Sequence, residues 1–279
     1  MTYVFRPAAS DSADALATAI KAKRITSLAN APIKPGDVIL CWGAQCGSQG
    51  RTVTVLNGPS LKRKFTDIQM LTKAGVRTVK ATNVCPKQDD DPVVKQFLAT
   101  REYIDKVIWR NRDEIAKQLP TVGKHISRVK AELSKPFKPA VEWLGREDDH
   151  SRGLDLITPP NKPDYWVKRE EFTTEYRVHA FDGYSIKAGE KVKSSRKAVT
   201  HPWIKSWETG WDLSYCGVTQ PVRDIAFQAV KALGLTFGAV DIGETTKGEL
   251  VVLEVNRAPA LDGGEIPAYV KAYNRWMQS

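Results

Sequence analysis

Residues 251–261, VVLEVNRAPAL, decide how this chain reads. Three apolar residues run into a carboxylate, a valine, an amide and an arginine, and a proline stops the pattern two residues later. Successive side chains of a strand point to opposite faces, so Glu254 and Asn256 share one face and offer oxygen side by side. Two oxygen ligands on one face suit a hard cation such as Mg²⁺. The plain alternative is a strand end carrying two solvated polar residues. The preceding segment, TFGAVDIGE, leads through TTKG into this strand as a hairpin. A turn centred between Lys247 and Gly248 places Asp241 directly opposite Glu254. Two carboxylates that close repel unless a cation lies between them, which favours the metal reading for Asp241, Glu254 and Asn256.

The rest of the chain has ordinary globular composition: 279 residues, 42% hydrophobic and 27% charged. No apolar run approaches the roughly 20 residues a membrane span needs. The N-terminus lacks the basic and apolar regions of a signal peptide, so the expected location is the cytoplasm. Cys41, Cys46, Cys85 and Cys216 show no CxxC spacing, and with four dispersed histidines they read as reduced thiols rather than a zinc site. The net charge of +10 favours polyanionic partners: nucleotides, phosphates or nucleic acid. From Pro92 to Ala140 eleven Lys and Arg stand against five Asp and Glu, so this segment carries +6 of that excess. It reads as charged helices, either a solvated face or a basic arm that contacts an acidic substrate.

Hydrophobic periodicity outlines α/β organisation. SDSADALATAIKAK reads as a helix capped by Ser10 or Asp11, Val38–Trp42 as a short buried strand, and LKRKFTDIQMLTKAGV as an amphipathic helix stopped by Gly75. This alternation predicts a parallel sheet. Past Pro136 and Pro139 the pattern turns to short strands with a DG turn at Asp182–Gly183. The helix TQPVRDIAFQAVKALGL and the closing hairpin follow.

The stretch LGLTFGAVDIGETTKGELVVLEVNRAPAL resembles the C-terminal signature of the ATP-grasp superfamily, and looks most like the ribosomal-protein glutamate-tail ligases and related small phage and bacterial members. LNGPSLKRKFTDIQMLTKAGVRTVKAT is similar to the segment joining that family's N-terminal lobe to its ATP-grasp lobes. VEWLGREDDHSRGLDLI resembles the strand, loop and strand over the phosphates, and YWVKREEFTTEYRVHAFDG the adenine hinge with the arginine-bearing strand. The resemblance covers about two-thirds of the chain. It implies an α/β fold (α+β lobes): an N-terminal parallel α/β lobe (1–75), a central lobe (76–163) with a basic helical insertion at about 92–135, and a C-terminal lobe (164–279) with the metal site. The two α+β lobes clamp ATP between their sheets.

By the same resemblance, Asp241, Glu254 and Asn256 are metal ligands. Arg146 stands where the family has a phosphate-binding lysine, and His150 and Gly153 fall in a phosphate loop more acidic than the family norm. Lys168, Arg169, Glu170 and Glu171 match the adenine hinge, with Glu171 a ribose contact. Arg177 matches the residue that touches the γ-phosphate or acyl-phosphate, and Arg196 or Lys197 adds a phosphate contact. Arg257 and Ala260 depart from the family pattern where the second substrate approaches. The implied activity is an ATP- and Mg²⁺-dependent (or Mn²⁺-dependent) carboxylate–amine ligase working through an acyl-phosphate, with Arg146 and Arg177 as catalytic cations. Its partners would be small-molecule or peptide carboxylates and amines, or an acidic macromolecule such as a protein tail or nucleic acid. Many relatives are homo-oligomers, and no membrane is involved. The alternatives are an ATP-grasp-type kinase and a nucleic-acid-binding protein using helices 92–134.

Overall fold

The computed structural model describes residues 1–46, 52–58, 63–83, 143–148, 163–201, 204–215 and 217–279. The chain divides into two compact units: 1–83 together with 145–279, and 84–144. The second, with the basic segment 92–134, lies almost wholly outside the described residues.

The N-terminal part alternates strand and helix as the periodicity predicts. Strands β1 (Thr2–Phe5), β2 (Lys23–Ile25), β3 (Val38–Cys41) and β4 (Thr54–Leu56) form a parallel sheet in the order β2-β1-β3-β4. All four residues of β3 are buried, as a central parallel strand requires. Between β1 and β2 runs α1 (Asp11–Ala19). The extended Ser10 caps it by accepting from the Ala13 amide at 3.3 Å, and Ala13, Leu16 and Ala17 form its buried stripe. Helix α2 (Lys64–Lys73) buries Asp67, Ile68 and Leu71, and Gly75 ends it in the left-handed region at φ 75°.

One cysteine reading is corrected. Cys41 and Cys46 are joined in a disulfide, with Cα atoms 6.4 Å apart. The chain turns back after β3 at Gly43, whose φ is 64°, and so brings Cys46 against Cys41. Spacing rules tuned to CxxC motifs do not register a turn of that kind.

A three-stranded sheet follows, order β5-β7-β6, from Ala81–Thr82, Tyr165–Lys168 and Trp143–Arg146 respectively. Then comes the largest sheet, five antiparallel strands ordered β10-β9-β8-β11-β12: β8 Phe172–Phe181, β9 Tyr184–Lys193, β10 Trp211–Ser214, β11 Phe237–Thr245 and β12 Leu250–Asn256. Asp182 and Gly183 both take positive φ, 46° and 81°, as a two-residue hairpin demands. One face of this sheet is covered by α3 (Gln220–Ala232), whose Val222, Ala226, Ala229 and Val230 pack on Val178, Val240, Ile242 and Val252.

Two links tie the N-terminal sheet to β11. Trp42, fully buried, stacks on Phe237 at 5.2 Å and meets Tyr269 of α4 (Ile266–Gln278) edge-on at 5.7 Å. Asn57, held at φ 58°, donates to the Phe237 carbonyl and accepts from the Thr236 and Phe237 amides. Together they fix the start of the strand that carries Asp241.

Candidate active site

Charged side chains gather on the face of the five-stranded sheet opposite α3. The expected cross-strand pair is present: Asp241 of β11 lies opposite Glu254 of β12. It arises by a different route from the one the turn suggested. Beyond Asp241 the strands pair as Ile242 with Val252 and Glu244 with Leu250, half a residue from a turn centred between Lys247 and Gly248. A one-residue bulge at Leu253 then restores the register, so that Asp241 meets Glu254 and Ala239 meets Asn256. On the other side of β11, Asp241 pairs with Arg177 of β8. Arg177, Asp241 and Glu254 therefore form one rung across three strands.

The hairpin of β8 and β9 repeats the device. Its tight turn pairs Phe181 with Tyr184 and Ala180 with Ser185, and a bulge at Ile186 shifts the register so that His179 faces Lys187, Arg177 faces Gly189 and Tyr176 faces Glu190. That register sets Lys191 beside Glu175. The Lys191 ammonium lies 3.3 Å from Glu175 Oε2 and 3.4 Å from Asp241 Oδ1. Lys205 approaches the other oxygen of Glu175 at 3.6 Å. Arg177 Nη1 is 3.4 Å from Asp241 Oδ2, and Lys64 at the start of α2 reaches Glu254 Oε1 at 3.0 Å.

Lys191 and Asp241 hold each other charged. Burial opposes the charge on Asp241, but Lys191 and Arg177 outweigh it and keep the carboxyl below its ordinary value. Burial likewise works against the Lys191 ammonium, and Asp241 with Glu175 more than offsets it, raising that group. His179, on the same face, is buried and shares a hydrogen bond of 3.2 Å between Nδ1 and the Tyr269 hydroxyl. Burial, reinforced by Arg177, pushes its pKa down to about 3, so it is a neutral packing group at physiological pH.

A divalent cation fits this cluster. Asp241 Oδ1 is buried and makes no hydrogen bond, its nearest cation standing at ion-pair rather than hydrogen-bond geometry. Protein cations already gather on both carboxylates, as two facing negative charges demand. Asn256 Oδ1 accepts from the Ala258 amide at 3.0 Å, which turns the amide oxygen toward the end of β12. Among the described residues no three His, Cys, Asp or Glu side chains gather. The donor set is two carboxylates and an amide, all oxygen, which suits Mg²⁺ completed by phosphate oxygens.

The other expected residues lie on other elements. Arg146 is the last residue of β6, and its carbonyl accepts from the Asp164 amide. Lys168 ends β7 and donates its amide to the Lys80 carbonyl at 2.8 Å. Arg169, Glu170 and Glu171 form the link to β8. Glu171, with a side chain 81% exposed, pairs with Arg169 at 3.6 Å, whereas Glu175 is the buried carboxylate of that region. Arg196 and Lys197 stand over the Trp207 ring, and Arg196 also reaches Asp212. His150 and Gly153 lie outside the described residues.

Glu175, Lys191 and Lys205 were missed by motif reasoning. Glu175 was legible, because Glu175, Arg177 and His179 alternate onto one face of a strand. Lys191 was not, since an unbulged hairpin would put Glu190 opposite Glu175.

Arg257, in the loop after β12, makes a two-pronged ion pair with Asp67 of α2, both contacts at 2.5 Å and both side chains at most 10% exposed. Burial pushes the Asp67 carboxyl up even against the pull of Arg257. Arg257→Ala should therefore cost about 3–5 kcal/mol, read from urea unfolding, by stranding a buried carboxylate. Replacing both partners by leucine should recover most of that loss.

No family model matches the chain. A stretch of 75 residues, 27% of this chain and 25% of the relative, is 33% identical to the tetrahydromethanopterin:alpha-L-glutamate ligase of Methanococcus maripaludis. The chain thus matches only about a quarter of that relative's length. Solved structures align over nearly everything. The ATP-grasp ligase PsnB, bound to its precursor peptide PsnA2 and AMPPNP, superimposes with a TM-score of 0.57 at 11% identity, covering 100% of this chain and 98% of that one. D-alanine--D-alanine ligase from Bacillus anthracis gives 0.54 at 11% identity over 99% and 98%. The D-cycloserine synthetase DcsG gives 0.52 at 16% identity over 98% and 99%. PsnB has also been solved with Mg and ADP.

Proposed function

We propose that this chain, which has the ATP-grasp fold, is an ATP-dependent carboxylate–amine ligase. The observation that carries the reading is the rung Arg177–Asp241–Glu254, with a buried Asp241 oxygen that no hydrogen bond satisfies, on the inner face of the sheet. Asp241, Glu254 and Asn256 would hold Mg²⁺, which when bound neutralises charge between the nucleotide phosphates. Arg177 stands next to Asp241 and would bind a transferring phosphoryl group, with Arg146 proposed as a second phosphate cation.

The chemistry divides into two transfers. An oxygen of the substrate carboxylate attacks the γ-phosphorus as the bond to the ADP oxygen breaks, giving an acyl-phosphate and ADP. The amine nitrogen then attacks the acyl carbon, the carbon–oxygen bond to phosphate breaks, and the amine proton leaves to solvent. The products are an amide and inorganic phosphate. The chain's own part is positioning and electrostatics. Lys191 holds Asp241 ionised and oriented, Lys205 and Lys191 fix Glu175, and the aromatic group of Trp42, Phe237 and Tyr269 holds the start of the strand. Buried His179, bonded to the Tyr269 hydroxyl and reluctant to take a proton, is a poor base. A peptide carboxylate or amine is the substrate class that the PsnB complexes favour.

The test is ADP release across a panel of carboxylates, amines and short peptides, with hydroxylamine as a trapping amine. A carboxylate that stimulates ADP release and yields its hydroxamate establishes the reading. ADP release with a stable phosphate ester and no hydroxamate would mark a kinase instead.

A further inference from the structure

The proposed chemistry leaves one partly buried cation of the N-terminal sheet unused. Arg6 follows β1 directly, at the carboxyl end of a parallel sheet, where open α/β sheets gather ligands. Its Nη1 donates to the Trp42 carbonyl at 3.1 Å. Its Nε is buried with no hydrogen-bond partner, and among the described residues the guanidinium has no carboxylate partner. A guanidinium carries five donors, so among the described residues most of this one is uncommitted.

Its neighbours place it beside the loop that leaves the metal strand. A Cβ added to Gly43 would stand 2.8 Å from Arg6 Nη1 and 2.5 Å from the Ala258 Cβ. Gly43 also takes φ 64°, so a side chain is excluded there by conformation and by space alike. Ala258 lies two residues after Asn256, whose side chain accepts its amide. Two residues of chain span at most about 7 Å. Arg6 and the proposed metal ligands are therefore bridged by a very short segment, a distance a small substrate can cover. The same loop is anchored on α1, where Ser12 Oγ accepts from the Leu261 amide at 2.8 Å.

We infer that Arg6 is an anion anchor for substrate and binds a carboxylate that is not activated by phosphoryl transfer. This rests on the ligase reading for the location of the reacting end, but not for Arg6's own affinity. A planar fork with free N–H groups, partly desolvated, selects a carboxylate over its amide by charge and by paired hydrogen bonds. The carboxylate belongs to the acyl donor or to the amine substrate, and the two sources separate experimentally.

Ligand-observed NMR titrations would be run on the full chain, with and without MgADP, for wild type, Arg6→Met and Arg6→Lys. Glutarate against its monoamide probes a dicarboxylic acyl donor. L-alanine against L-alaninamide probes the carboxylate of the amine substrate. In wild type, at least one pair should show the carboxylate binding about tenfold or more tighter than the amide. In Arg6→Met that preference should fall below about twofold, and Arg6→Lys should restore part of it. The pair that responds identifies the substrate that Arg6 holds. A wild type without preference in either pair, or an Arg6→Met protein that keeps the preference, overturns the assignment. MgADP affinity, measured on the same samples, reports separately on the ligase reading. Its absence in wild type would count against that reading, while the nucleotide-free titrations still decide Arg6.

Discussion

Glu254→Gln and Asp241→Asn are each expected to abolish the magnesium dependence of ADP binding and to lower nucleotide turnover by roughly 10²–10³-fold. The reason is shared, since each removes one of two facing carboxylate charges that make the cluster a cation site. The structural consequences differ. Glu254 has a side chain one-third exposed and pairs with Lys64, so its neutralisation should cost under about 1 kcal/mol of stability. Asp241 is flanked by Lys191 and Arg177, each at 3.4 Å. Its neutralisation takes the carboxylate from Arg177 and leaves Lys191 with Glu175 alone, and should cost about 3–5 kcal/mol. Adding Lys191→Met to Asp241→Asn removes the excess positive charge and should return much of the stability with none of the magnesium dependence. Isothermal titration of ADP with and without magnesium, alongside urea unfolding, reads both effects. A Glu254→Gln protein whose ADP affinity still climbs with magnesium would remove the metal site from this face.

His179 should give the protein a steep acid limb. Its pKa is near 3 in the fold against an ordinary 6.5. Below pH 6.5 the unfolded chain takes up a proton that the folded chain refuses, so the unfolded state binds more protons and stability rises with pH. The contribution is complete above about pH 6.5 and is lost as pH falls toward 3. The slope is about 1.4 kcal/mol per pH unit, or about 2 kcal/mol by pH 5. Asp241 does not share this window. Its folded pKa lies below the ordinary 3.8, so its contribution persists down to that pH and is lost only beneath it. His179→Asn retains a partner for the Tyr269 hydroxyl and cannot titrate. Its unfolding free energy should be nearly flat between pH 6.5 and 5, whatever its value at pH 7. A wild-type protein equally stable at pH 7 and pH 5 would show that His179 is protonated inside the fold.

Much of this architecture was legible from local pattern. The Ser10 cap, the Ala13–Leu16–Ala17 stripe, the fully apolar β3, the Asp182–Gly183 turn and the glycine stops at Gly75 and Gly234 each follow from short-range chemistry. So does the sharing of one face by Glu254 and Asn256, because the pleat alternates whatever the strand packs against. Helix α4 shows the same kind of stripe in Tyr269, Ala272 and Tyr273.

Register was another matter. Leu253 and Ile186 each occupy one extra position in a strand, and nothing in their own chemistry marks them as bulges. With the observed turn and no bulge at Leu253, Asp241 would pair with Leu253 and lose Glu254. Without the bulge at Ile186, Glu175 would face Glu190 instead of Lys191. Such shifts are set by packing on both sides of the sheet: α3 seats Val240, Ile242 and Val252, while the Asn57 clamp and Trp42 hold the start of β11. The residue types at this site belong to the local pattern, but their opposition across strands is a long-range property. It depends on contacts between segments up to about two hundred positions apart, such as Arg257 with Asp67 and Asn57 with Phe237. A strand can be read from its own residues, but its register depends on the neighbours that bury its faces.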